Sequence, residues 1–174
     1  VAQMKIFLSY RRRDAAHAVA RIYERLCEFA GDENVFMDVE SIRYGADFRH
    51  NIVKAVRACD YCLVVIGPSW DARDSLARTS RLDGPDDFVR IEIETALACP
   101  TVTVLPVLLE PATLPVVDEL PESVRGLLSR QFASLRGDPH FQADLTTLLA
   151  TMEVIPPMSS DDVALYDLVV NRID

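Results

Sequence analysis

Six consecutive apolar residues, Tyr61-Cys-Leu-Val-Val-Ile66, run without a polar break into Gly67-Pro68. A strand with one wet face alternates apolar and polar residues, and this one does not alternate, so both of its faces must be covered. That requirement points to a parallel sheet with helices packed above and below it. Parallel neighbours must be joined by crossovers long enough to contain a helix.

The rest of the chain has the matching alternation. Residues 5–9 read as a first strand. Residues 15–29 read as a helix, with Val19, Ile22, Tyr23, Leu26 and Phe29 at helical spacing. After the Gly31-Asp32 break, residues 34–38 form a second short strand, 39–46 a loop and 47–58 a second helix, with Phe48, Ile52, Ala55 and Val56 inward. Beyond the apolar strand, 69–86 is a long charged loop, and such loops in compact domains are usually functional or mobile. Asp86 or Asp87 caps a third helix that reaches about residue 98, and 101–108 is the fourth strand. A proline-rich segment leads into a short helix at 122–128, followed by an edge strand at 131–135 and a closing helix at 141–152. The predicted class is α/β, a flavodoxin-like three-layer domain around a parallel five-stranded sheet. Residues 1–152 form that domain. Residues 153–174, which carry Pro156-Pro157, read as a linker and an amphipathic C-terminal helix, the possible start of a further region.

The turn after the first strand is unusual. Lys5-Ile-Phe-Leu-Ser-Tyr-Arg-Arg-Arg-Asp14 places three arginines at the carboxyl end of a strand, where open α/β sheets bind ligands. Nucleotide-binding folds often put glycines there to cradle phosphate with backbone. Guanidinium forks are an alternative suited to phosphate or carboxylate. A solvated basic turn is the plainer alternative.

The net charge of −9 argues against a nucleic-acid partner, which would favour a basic surplus. No apolar run approaches the ~20 residues of a membrane span, so no membrane partner is expected. Gln3 and Lys5 interrupt the start, no secretory signal is read, and a cytoplasmic location is expected. The four cysteines lie in apolar periodic segments, as buried thiols of a reducing compartment do. Cys59-Asp-Tyr-Cys62 has C-x-x-C spacing, but it ends a helix and enters a strand, whereas a redox pair sits at a helix N-terminus. His17, His50 and His140 are scattered singly, so no metal site is expected.

Four pieces now stand in order: Phe7-Leu-Ser-Tyr-Arg-Arg12, Val35-Phe-Met-Asp-Val-Glu40 with Gly45 downstream, Val64-Val-Ile-Gly-Pro-Ser-Trp70, and Asp87-Phe-Val-Arg-Ile-Glu92. In that order and at those separations the chain, from about residue 5 to 152, resembles a Toll/interleukin-receptor (TIR) domain, particularly the bacterial kind. The resemblance implies that residues 39–46 form the family's mobile "BB" loop. It also implies one of two activities. Many TIR domains cleave NAD+ between nicotinamide and ribose, and some cyclise the product into a signal, in bacteria as part of antiviral immune defence. Others are non-catalytic adaptors that only assemble with one another. NAD+ would be a substrate, with no cofactor required. Expected partners are further TIR copies, with active sites often built across two of them, and a fused or separate sensor or effector protein.

The family's catalytic glutamate corresponds to Glu92. If Val89, Ile93, Ala96 and Leu97 face the sheet, Glu92 and Glu94 point to opposite flanks, and periodicity does not say which flank faces the strand ends; the resemblance selects Glu92. By the same resemblance Arg11 and Arg12 are placed beside the pyrophosphate, with Ser9 and Tyr10 lining the floor and Arg13 toward solvent. Asp38 and the loop up to Gly45 border the pocket, and Gly45 suits a hinge conformation that other residues disfavour. Trp70 would stack on a flat ring or mediate self-contact, unless it is buried under the long loop. The length and charge of 71–86 leave open both substrate access and the choice between hydrolysis and cyclisation. A phospho-acceptor domain of the same fold would need paired acids after strand one and a lysine near the last strand, and this chain has arginines where the acids should be.

Overall fold

The computed structural model describes residues 4–37, 48–71 and 80–154. Five parallel strands, β1 (Ile6–Ser9), β2 (Val35–Met37), β3 (Tyr61–Ile66), β4 (Thr103–Leu109) and β5 (Ala133–Leu135), form one sheet in the order β2-β1-β3-β4-β5. Among the described residues the α-helices are α1 (Arg12–Ala30), α2 (Phe48–Arg57), α3 (Phe88–Leu97) and α4 (Phe141–Val154). Every residue of β3 is buried, as its unbroken apolar run requires.

Pleating sorts the strand residues between two cores. Ile6, Leu8, Leu63 and Val65 pack with Val19, Ile22 and Leu26 of α1 and with Leu145, Leu148 and Leu149 of α4. Phe7, Cys62, Val64 and Ile66 pack on the other face with Ile52 and Val56 of α2 and with Val89, Ile93 and Ala96 of α3. Ser9 follows Phe7 by two positions and therefore lies on the α3 side. The chain passes outward from β1 to β2 and then back to β3, so strand order reverses at β1, and the carboxyl end of β1 is the crevice of a doubly wound sheet.

Several expected elements differ in detail. α1 starts at Arg12, but Ala15 departs from helical geometry (φ −139°, ψ 24°), so residues 12–14 form a first turn set off from the body of the helix. The short helix expected at 122–128 is present as Glu122–Ser129, and it is of the 3-10 kind. Its buried residues, Val124 and Leu127, are three apart, which is the 3-10 repeat. The fourth strand begins two residues later than expected and ends at Leu109. Asp38, the 39–46 loop with Gly45, residues 72–79 and the expected C-terminal helix lie outside the described residues. Among the described residues no helix is long and apolar enough to cross a membrane.

Gly67, at the exit of β3, is required by close packing. A Cβ there would stand 2.7 Å from Asp14 Cγ, and the Asp14 carboxylate is held in place by accepting a 2.6 Å hydrogen bond from the Ser69 amide. Overpacking of this kind typically costs about 1–3 kcal/mol. Gly67→Ala is expected to destabilise the fold by that amount in urea unfolding, and an unchanged midpoint would show that the turn yields freely.

Cys59 and Cys62 are free thiols buried between α2 and β3. Burial, aided by the neighbouring Asp60 charge, pushes Cys59 up to about 12. Cys62 is raised well above the usual thiol range, chiefly by burial and then by the charge of Glu92. Thiolate is the reactive form. Both cysteines should therefore resist iodoacetamide at pH 8 in the native protein and react once it is unfolded; native-state alkylation at the unfolded rate would contradict this.

Candidate functional site

A cleft of about 400 Å3 opens at the carboxyl end of β1. Tyr10 and Arg11 reach it from the β1–α1 turn, Arg12 and Arg13 from the first turn of α1, Phe48 from the start of α2, Arg81 from the turn before α3, Asp87 from the N-cap of α3, and Phe88, Val89 and Glu92 from α3 itself. Its volume falls within the range of small-molecule sites. Among the described lining residues four are arginines and two are carboxylates.

Helical phase places Glu92. Val89, Ile93 and Ala96 turn into the core, which leaves Glu92 and Glu94 on opposite flanks of α3. Glu94 is held away from the cleft by Arg90 Nε and Ser123 Oγ, which donate to its Oε1 at 2.6 Å each. Burial opposes the Glu94 charge, but those two hydrogen bonds together with the Arg90 and Arg49 charges hold its carboxyl below the ordinary value. Glu92 takes the flank facing β1 and is only 7% exposed. There Ser9, with no exposed surface, donates its hydroxyl to Glu92 Oε2 at 2.6 Å. Ser9 therefore lies beneath the carboxylate rather than on the cleft floor, where the sequence reading put it. Its strand parity aims it at α3.

Arg11 is also differently employed than expected. Its fork grips Asp87 with two hydrogen bonds, Nη1 to Oδ2 at 2.8 Å and Nη2 to Oδ1 at 3.1 Å, while Nε donates to the Trp70 carbonyl at 2.6 Å. Asp87 in turn caps α3, with Oδ1 accepting from the Arg90 amide at 2.9 Å. Arg12 and Arg13 are exposed at the cleft, as is Arg81. The Trp70 indole is buried, with 1% exposure, in the core beneath the exit of β3. It borders a second depression with Thr113, Leu114 and Glu119, not the cleft of Glu92. Burial is thus the reading that holds for Trp70; a fully packed ring has no face left to stack on a ligand in this conformation.

Two aromatic residues complete the cleft. The rings of Phe48 and Phe88 meet with centroids 4.2 Å apart at 55°, and Phe88 is 53% exposed. Phe48 packs against the core, as the sequence reading had it, and also reaches the cleft, while that reading passed over Phe88. Phe88 is the first residue of α3, where apolar spacing alone does not mark a side chain as core or cleft. Likewise Arg81 was hidden within a loop that carries no periodicity. Among the described residues no three His, Cys, Asp or Glu side chains gather as metal ligands.

The Ser9–Glu92 contact joins two buried polar groups, and loss of a hydrogen bond to a charged group costs about 1.5–3 kcal/mol. Ser9→Ala, nearly neutral in volume, is expected to lower the unfolding free energy by that amount. A change below ~0.5 kcal/mol would show that Glu92 draws its support from elsewhere.

The sequence matches the family described as TIR domain over residues 6–149. No curated protein gave a match. Among solved structures, the TIR domains of the activated Roq1 resistosome recognising the pathogen effector XopQ are similar at 15% identity, covering 86% of this chain and 99% of that one with a TM-score of 0.59. The TIR domain of the Toll-related receptor TRR-2 from Hydra magnipapillata is similar at 16% identity, covering 83% and 97%, with a TM-score of 0.52. A buried glutamate on the third helix, facing a basic turn at the end of the first strand of a five-stranded parallel sheet, therefore sits on a known scaffold: the chain belongs to the TIR-domain family.

Proposed function

We propose that this protein is an NAD+ glycohydrolase, cleaving the bond between nicotinamide and ribose to give nicotinamide and ADP-ribose or its cyclic form. The observation that carries the proposal is the placement of Glu92. One carboxylate, fixed from below by Ser9, borders the same cleft as exposed arginines and a pair of phenylalanines. That set suits a ligand with a diphosphate, a flat ring and a carbon that becomes cationic.

The chemistry asks little of the protein. Nicotinamide in NAD+ already carries positive charge, so the breaking C–N bond leaves its electron pair on the ring nitrogen and neutralises it. No general acid is required. The ribose passes through an oxocarbenium-like state, as in glycoside hydrolysis. A preorganised carboxylate beside that carbon stabilises it electrostatically. Hydrolysis ends with water adding to the anomeric carbon and releasing a proton, while cyclisation ends with an adenine nitrogen adding in its place. Arg12 and Arg81 suit the diphosphate, and Phe88 offers a ring face at the mouth.

Self-association belongs to the same proposal. The Roq1 neighbour is the TIR domains of an activated resistosome, which supports association between copies here. A shared site makes activity depend on clustering. We place the protein in the cytoplasm, in an immune-defence role, working with a sensor or effector partner. A purely adaptor role would need the loops and not the glutamate.

The test is nicotinamide release from NAD+ across a range of protein concentrations. Wild type should release it, with specific activity rising as the protein is concentrated. Glu92→Gln should lose at least about 10²-fold, the scale of removing one preorganised transition-state contact. Phe88→Ala should raise KM with little change in kcat. No release by concentrated wild type, or full activity in Glu92→Gln, would leave the adaptor reading in place.

A further inference from the structure

We infer that Arg11 is a positioning residue that seats the first turn of α3, and through it Glu92, instead of gripping the substrate's phosphates. The inference rests on the NAD+-cleaving reading for its catalytic consequence and on the geometry alone for its mechanical one.

Arg11 is 8% exposed, and three of its five N–H donors are already engaged. Those three bonds join three separate segments: the β1–α1 turn that carries Arg11, the exit of β3 at the Trp70 carbonyl, and the N-cap of α3 at Asp87. A bidentate fork fixes orientation as well as distance, which a single point charge cannot do. Asp87 precedes Glu92 by five residues, less than one and a half helical turns. Any rotation of the first turn of α3 therefore moves the Glu92 carboxylate. The second tether, Ser9 to Glu92, comes from the same strand end two residues before Arg11. β1 thus holds α3 at its cap and at its acid.

A substrate phosphate could claim the Arg11 fork only by displacing Asp87, whose side chain is 15% exposed, and leaving that carboxylate short of its partner. Removing one member of a largely buried pair is strongly unfavourable. Phosphate binding falls more readily to Arg12, Arg13 and Arg81, which are exposed at the same cleft.

The two roles predict opposite behaviour for Asp87→Asn, which keeps a competent N-cap but weakens the clamp. If Arg11 positions α3, Asp87→Asn and Arg11→Met should each lower kcat by about 10-fold, the penalty of a modestly misplaced group. KM should stay within about twofold, and the double variant should be no worse than either single one, as for residues acting as a unit. Arg11→Lys should not restore kcat. If Arg11 binds phosphate, Asp87→Asn frees the fork and lowers KM, and Arg11→Met raises KM with kcat retained; either result overturns the inference. A readout that needs no turnover separates this from the functional proposal. The 13C carboxyl resonance of Glu92, assigned with Glu92→Gln, should shift in Asp87→Asn, and an unmoved resonance would overturn the inference even in an inactive protein.

Discussion

The hydroxyl of Ser9 sets the terms for the cleft. A carboxylate under the edge of an apolar sheet face has few sources of hydrogen bonds, and an unsatisfied one is costly. β1 ends in a residue whose parity turns it toward α3, and that residue is a serine. The 2.6 Å hydrogen bond from Ser9 gives this buried acidic side chain a partner at the end of β1. The Arg11–Asp87 fork complements it one turn away. Together they convert the end of a strand into a mount for a helix, and the helix carries the acid to the place where strand order reverses.

The layers of the fold were plain in the residues because burial on two faces leaves a direct trace. Residues 61–66 allowed only a covered central strand, and the alternation around it allowed few topologies. Phase within α3 showed that Glu92 and Glu94 diverge. It could not show which of them met the strand ends, since that depends on how the helix lies across the sheet. The answer is visible in the partners: Arg90 and Ser123 claim Glu94, and Ser9 claims Glu92.

What was hidden was long-range pairing. Arg11 finds Asp87 across 76 positions, and no local pattern announces it. Three successive arginines look alike in a sequence, yet one is a strut between segments and the next two line the opening. Trp70 shows the converse. A single tryptophan after Gly67-Pro68 invites a role in stacking, but its ring fills the core and only its carbonyl takes part, through Arg11. The helix at Glu122–Ser129 was legible, but not its 3-10 kind, because a spacing of three residues satisfies either kind of helix over so short a length.

The central claim is a matter of distance: the reacting carbon of the dinucleotide comes to Glu92. A crystal structure with a non-cleavable NAD+ analogue reads that distance. The account predicts the anomeric carbon of the nicotinamide ribose within about 4 Å of the Glu92 carboxylate, close to the spacing of a near-attack arrangement, with the diphosphate beside Arg12. An analogue bound with that carbon far from Glu92, or seated by Trp70 in the second depression, would contradict it.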